Sequence, residues 1–446
     1  MQLVENQHNE LLIRLRNVRE SGDLNGVTAK KADNLHRLFL YPAMMVPVTQ
    51  SLIIEAISES LPVDAMALDP YMGSGTSLLS CMEYGIGVYG QDINPLAVLI
   101  VNAKTTNYNI DFIRDCFTAF KESVQNDQSV SIDVDFPGID KWFSKKVQRE
   151  LSRLRRCIKA EKNQSVRYLY WVIMSEVIRL GSNDRTSTYK LHQRTEEDIA
   201  KREVDVMSDF YSLFERCIVD MNVFRQKLQT KNLLNNSRYT KYLQIHWGNS
   251  LNKINTVRKF DLLVSSPPYG DNHTTVTYGQ HCYLQLQWID PLDLTPNIDY
   301  DYLRTTQEID RQSLGGKLDS LWIKEKLHGM LERVPSLQVF YNTIPATEQM
   351  KYYKTINFII DFEKSLDVIV HSMKKNAFYV WTIGNRYVNK REVPNDKVLI
   401  DLMRNKGIEL IFNAERDILN KKQPKRNRSS QTMEKEHILI FQRQKA

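Results

Sequence analysis

Apolar and polar positions along the 446 residues follow two different periods, and the changes of period mark the elements. Ala65-Met66-Ala67-Leu68 and Phe260-Asp261-Leu262-Leu263-Val264 are short, almost continuous apolar runs, the mark of strands buried on both faces. Each gives way to a turn-forming string. The first is Asp69-Pro70-Tyr71-Met72-Gly73-Ser74-Gly75-Thr76 and the second is Ser265-Ser266-Pro267-Pro268-Tyr269-Gly270. Residues 65–103 read as strand, turn, helix, strand, turn, helix. The second strand, Gly87 to Gln91, ends at Asp92, and Asn94-Pro95 opens the next helix, with Asn94 as cap and Pro95 in the first helical position.

Upstream, residues 1–34 are polar and mixed in charge, with a short helix suggested at Leu11 to Leu15. Pro42 and Pro47 keep the apolar stretch from His36 extended, because a proline disfavours a helical residue before it. Val48 to Leu61 returns to helical spacing. From about 105 to 240 the pattern is helical: Val147 to Ile158, Val166 to Leu180, a polar loop at Gly181 to Thr188, then Thr195 to Leu228. Strands resume at Ile245 and at Phe260. Residues 270–350 contain few β-rich runs. A helix at Ile356 to Met373, a strand at Ala377 to Ile383, a helix at Asn395 to Lys406, and strands at Ile408 to Phe412 and His437 to Phe441 complete the chain. The expectation is an α/β fold with a doubly wound, seven-stranded sheet, closed by a hairpin that supplies one antiparallel strand. Residues 1–105 and 245–446 form the sheet domain, with a second insertion at 283–350. Residues 106–244 form a large helical insertion, the candidate region for target recognition.

Composition narrows the class. The 42% hydrophobic content suits a globular chain, and no apolar run is long enough for a transmembrane helix. The first residues lack the basic start and apolar core of a signal peptide. Five scattered cysteines without a Cys-x-x-Cys pair argue for reduced thiols, a cytoplasmic location and no metal site. A formal charge of +7 is compatible with a polyanionic partner without requiring one.

The first string suits a nucleotide-like cofactor. Gly73 and Gly75 allow a tight turn and close approach, the following helix start offers free N–H groups, and Asp92 at the next strand end can accept ribose hydroxyls. No Gly-Lys-Thr ending is present, so this is not a phosphate loop. A nucleoside bearing an amino acid, such as S-adenosylmethionine, fits better than ATP.

The second string suits a base amine. The exocyclic amine of cytosine or adenine is a poor nucleophile, because its lone pair is delocalised into the ring. Acceptors that hold its hydrogens favour a pyramidal nitrogen, and the Ser266 hydroxyl and Pro267 carbonyl can provide them. Pro267 and Pro268 stiffen the turn, and Tyr269 offers a face for a base taken out of its stack.

Together, the two strings resemble motifs I and IV of the S-adenosylmethionine-dependent amino-methyltransferases that modify DNA. Ser-Pro-Pro-Tyr is the variant associated with cytosine-N4 enzymes, whereas Asp- or Asn-Pro-Pro-Tyr is typical of adenine-N6 enzymes. Tyr41-Pro42 resembles motif X, Asp92 falls at motif II, Ala377 to Arg386 resembles the later strand motifs, and the end segment from Lys425-Arg426 through Glu436-His437-Ile438-Leu439 also resembles these enzymes. The resemblance implies a methyltransferase (Rossmann-like) sheet. It places Tyr41, Pro42, Asp69, Tyr71, Gly73, Ser74, Gly75, Thr76, Asp92 and Asn94 at the cofactor, and Ser266, Pro267, Pro268 and Tyr269 at the reacting amine. Asn249 stands where the family often has Asp near the adenine of the cofactor, and Tyr71 where Phe is commoner.

The expected partner is double-stranded DNA, with a cognate restriction endonuclease in a restriction-modification or phage-defence setting and no membrane. Candidate phosphate contacts are Arg185 and Lys190 in the polar loop, and Lys425, Arg426 and Arg428 in the basic run. The Arg149 to Arg156 helix reads first as a solvated face. Three other readings stay open: adenine N6 as the target, an RNA base-amine methyltransferase, and a catalytically silent DNA-binding subunit.

Overall fold

A computed structural model describes residues 2–28, 30, 35–106, 108–294, 300–418 and 433–443. Seven strands form one sheet: β1 (Met66–Asp69), β2 (Gly87–Asp92), β3 (Leu243–Trp247), β4 (Phe260–Ser265), β5 (Met373–Ile383), β6 (Ile408–Asp417) and β7 (Lys435–Arg443). Their order is β6-β7-β5-β4-β1-β2-β3. Pairings from β5 through β3 are parallel, and β7 runs antiparallel to both β5 and β6.

The central strands read as continuous apolar runs because both faces are covered. Side chains alternate between two cores. Ala67, Leu262, Val264, Phe378, Val380, Ile438 and Ile440 face one; Leu68, Leu263, Tyr379, Trp381, Leu439 and Phe441 face the other. The main helices are α1 (Gln2–Glu20), α2 (Pro47–Ser58), α3 (Thr76–Glu83), α4 (Pro95–Thr105), α5 (Ile110–Asn126), α6 (Lys145–Ala160), α7 (Gln164–Gly181), α8 (Val206–Thr230), α9 (Tyr278–Trp288), α10 (Ser320–Arg333), α11 (Tyr353–Ser372) and α12 (Asn395–Arg404). Residues of α1 to α9 line the first core, and residues of α10 to α12 line the second.

Helices α5 to α8, between residues 110 and 230, pack into the same core as the first sheet face. An aromatic group joins three of these helices: Phe117 stacks on Phe214 with centroids 3.5 Å apart, and Phe120 meets Tyr170 at 4.7 Å. The helix expected from Thr195 to Leu228 is broken. Glu196–Ala200 is a short turn capped by Thr195, and α8 starts afresh behind Asp205, whose carboxylate accepts from the Ser208 amide. The α6 arginines are not simply solvated. Arg156 pairs with Asp127 at 2.7 Å and Asp133 at 3.0 Å, and Arg155 donates to the Trp288 carbonyl.

The closing hairpin is longer than its apolar pattern. Its polar end pairs Glu415 with His437 and Arg416 with Glu436, and cross-strand ion pairs hold it together. Among the described residues, no helix is long and apolar enough to cross a membrane.

Candidate active site

Chain progression along the sheet reverses between β1 and β4: β1 leads outward to β2 and β3, and β4 leads the other way to β5. Such a switch point opens a crevice beyond the strand carboxyl ends. Both turn-forming strings leave from it, because β1 and β4 are neighbours, with Leu68 opposite Leu263.

Asp69 ties the two strings together. It is fully buried, and its Oδ1 accepts from Ser265 Oγ at 2.6 Å and from the Tyr71 amide at 3.0 Å; Ser77 donates to Oδ2. Burial pushes its carboxyl up to about 6, against the pull of these donors. Its oxygens are thus engaged beneath the glycine turn.

Above it, Gly73 (φ +48°) and Gly75 (φ +79°) adopt left-handed backbone, which a side chain would strain. A Cβ on Gly75 would lie 2.8 Å from Val101, and one on Gly73 would press on the Tyr41 ring at 3.3 Å. Asp92 closes the turn: its Oδ2 accepts from the Gly73 amide at 2.9 Å and its Oδ1 from the Asn94 amide at 2.8 Å. Burial pushes Asp92 up to about 6. Asn94 caps α4 through the Leu96 amide and donates to the Tyr41 hydroxyl at 3.1 Å and to Cys282 Sγ at 3.2 Å. Tyr41 also lies 5.6 Å from the Tyr278 ring, so the segment carrying Tyr41-Pro42 closes one side of the turn.

Thr76 meets His36 Nε2 at 2.9 Å, and the Ser74 carbonyl accepts from Lys104 at 2.8 Å. Lys104 is fully buried; burial pushes its ammonium down to about 7 and, with the Lys104 charge, holds His36 at about 3. Two further expected cofactor residues have side-chain partners within the protein. The Tyr71 hydroxyl meets Ser365 on α11, and Asn249 spends its amide on the Gln312 carbonyl and its oxygen on the Leu251 amide.

The second string is held from the opposite side. The Tyr269 carbonyl accepts from Asn395 at 3.0 Å, and Asn395 also donates to the Gly384 carbonyl. Gly384 has no side chain, which leaves room for the Tyr269 ring: a Cβ there would come within 2.9 Å of it. Ser266 Oγ lies 3.2 Å from the Tyr269 hydroxyl, which donates to Glu436 Oε1 at 2.9 Å. Pro267 is buried and Pro268 half-buried in the same turn. Next to it, Arg386 donates to Thr274 Oγ1 and lies 3.6 Å from Asp271. Asp271 Oδ1, Asn272 Oδ1 and Arg386 Nη1 are buried without a hydrogen-bond partner, the last held only by its ion pair with Asp271. Asp310, pushed up to about 7 by burial, accepts from the Gly279 amide at the start of α9.

Arg185 and Lys190 are exposed on a loop whose backbone is pinned. Asp184 accepts from the amides of Thr186 and His192, Tyr189 packs edge-on against His281, and Thr277 donates to the Tyr189 carbonyl. The loop therefore leans on α9 and the segment around Leu40. Lys425, Arg426 and Arg428 lie outside the described residues. Asn395, Asp310 and Lys104 have no distinguishing sequence signal, since a lysine ending a helix usually faces solvent, and Glu436 is marked only as part of a resembling segment, with no role. Among the described residues, no three His, Cys, Asp or Glu side chains gather as a metal site.

The chain is 28% identical over 422 aligned residues to the Type II methyltransferase M.MvaI of Kocuria varians, a match covering 91% of this chain and 90% of that protein. A stretch of 85 residues, 19% of this chain and 16% of the other, is 32% identical to the Type II methyltransferase M.MjaII of Methanocaldococcus jannaschii. No family model matches the chain. Among solved structures, the rRNA methyltransferase aviRa of Streptomyces viridochromogenes overlaps 90% of this chain and 86% of its own at a TM-score of 0.29 and 8% identity. That overlap is too loose to argue from, and the fold rests on the strand order above. The similarity to a Type II methyltransferase thus extends along nearly the whole chain.

Proposed function

We propose that the protein methylates an exocyclic amine of a base flipped out of double-stranded DNA, cytosine N4 in preference to adenine N6, as the methyltransferase of a restriction-modification or phage-defence system. One observation carries the reading: the glycine turn and the Ser-Pro-Pro-Tyr turn leave adjacent strand ends at the switch point, joined by the Ser265–Asp69 hydrogen bond. Cofactor and base are then held side by side, as transfer between them requires.

The fit to S-adenosylmethionine rests on the side-chain-free cradle at Gly73 and Gly75, the helix start behind it, and the half-buried Asp92 at the end of β2. When bound, that cofactor supplies an electrophilic methyl group on a sulfonium. The chain's own part is to orient. Asp92 accepts ribose hydroxyls, Tyr41 and Pro42 line the methionine side, and Tyr269 stacks on the base. Ser266 and the Pro267 carbonyl accept the amine hydrogens, an interaction that strengthens as the nitrogen becomes pyramidal and so lowers the barrier. Serine at position 266, in place of Asp or Asn, supports cytosine. Arg185 and Lys190 contact phosphate.

The test is methylation of mixed-sequence DNA with labelled S-adenosylmethionine, followed by nucleoside analysis. Label in N4-methylcytosine supports the reading. Label in N6-methyladenine overturns the choice of base, and no label in DNA overturns the function.

A further inference from the structure

A hydrogen-bond chain leaves the Ser-Pro-Pro-Tyr turn, and its far end fixes its direction. An ionised Glu436 only accepts. Tyr269 has one hydroxyl hydrogen and directs it to Glu436 Oε1 at 2.9 Å. The phenolic oxygen must then accept from its other neighbour, Ser266 Oγ, at 3.2 Å. Ser266 has spent its hydrogen on Tyr269, so it turns lone pairs toward the crevice, as an amine donor needs. Burial and the Glu436 charge hold the Tyr269 phenol well above its ordinary value, so it stays a donor. The second Glu436 oxygen pairs with Arg416, and both side chains are largely buried, at 13% and 7% exposure. The carboxylate is therefore held in place.

We infer that Ser266, Tyr269 and Glu436 form a relay that aims the Ser266 lone pairs at the target amine and carries off the proton which that amine loses after methylation. The inference rests on the methyltransferase reading above. Glu436 acts through Tyr269 and is a positioning residue.

The balance closes. As the donor's S–C bond breaks, an N–C bond forms at the amine, which becomes a cation with one proton too many. Its N–H bond breaks toward Ser266 Oγ. The Ser266 proton moves to the Tyr269 oxygen, and the Tyr269 proton moves to Glu436, which ends as a neutral acid. No strong base is needed, because deprotonation returns the nitrogen lone pair to ring conjugation.

Two variants test this. Tyr269→Phe keeps the stacking ring and removes the hydroxyl; Glu436→Gln keeps the shape and removes the charge. Single-turnover transfer from labelled S-adenosylmethionine to mixed-sequence DNA is measured beside DNA affinity by fluorescence anisotropy. Each variant is expected to slow transfer roughly 100-fold, because the Ser266 lone pairs are no longer aimed at the amine as its nitrogen becomes pyramidal, with DNA affinity unchanged. The double variant should be no slower than the slower single, because both cut one chain. A Tyr269→Phe protein that transfers at the wild-type rate, losses that multiply in the double variant, or losses confined to DNA affinity overturn the relay. If Glu436→Gln fails to fold with Arg416 unpaired, Tyr269→Phe decides alone. A wild-type protein that moves no label into DNA overturns the function and the relay with it; an active wild type beside an unaffected Tyr269→Phe overturns the relay only.

Discussion

Ser265 donates a 2.6 Å hydrogen bond to Asp69 across 196 positions of sequence. Each residue ends a strand, and each precedes one of the two turns that define the site. The bond fixes the spacing of cofactor turn and base turn, and Asp69 extends the control to α3 through Ser77. Removing it leaves a buried carboxylate short of a donor. Ser265→Ala should cost about 1–3 kcal/mol of stability, read by denaturant unfolding. A variant as stable as the wild type would show that the bond holds nothing.

Asp69 also makes a pH prediction. Its folded value, about 6, lies above its ordinary value of 3.8, so the native state binds the proton more tightly. Its contribution to stability is greatest below the ordinary value and is lost as pH rises to about 6. Asp69→Asn should remove that part of the slope. Melting temperatures of both proteins between pH 4 and 7 check this, and parallel curves would refute it.

Asp92 should set cofactor affinity. Asp92→Ala removes a charged acceptor and should weaken S-adenosylmethionine binding by roughly 1–3 kcal/mol. In the wild type, affinity should fall as pH drops through about 6, where Asp92 takes up a proton. Calorimetry measures both, and a folded variant with unchanged affinity would remove Asp92 from the cofactor site.

At the base turn, binding and chemistry should separate. Tyr269→Ala should lose about 1–3 kcal/mol of base stacking. Ser266→Ala should mainly slow the transfer step. Single-turnover rates set against DNA affinity distinguish the two losses. A Ser266→Ala protein with the wild-type transfer rate would exclude the hydroxyl from the chemistry.

Charge reversal at Arg185 and Lys190 should weaken DNA binding and flatten its salt dependence, with cofactor binding spared. Equal methylation across a salt series would move recognition to another surface, with residues 270–350 the next candidate.

Much of this was legible in sequence because local rules fix it. The apolar runs identify β1 and β4, since strands buried on both faces tolerate few polar positions. Gly73 and Gly75 mark a turn that a Cβ would strain, and Pro267-Pro268 stiffens the other. Asn94-Pro95 announces the start of α4. The chain could not announce what those strings touch. Asp69 reads as a member of the cofactor motif but serves as the bolt between two strands, and Tyr71 and Asn249 turn toward α11 and the Gln312 carbonyl. Glu436 lies in a segment that resembles the family, but only the pairing of β7 with β5 brings it to the Tyr269 hydroxyl. Periodicity and turn chemistry depend on near neighbours in sequence, so the amino acids alone determined the elements and the two strings. Strand order and register bring together residues 196 and 167 positions apart, so only the tertiary structure decided which groups face the crevice and which hold it in shape.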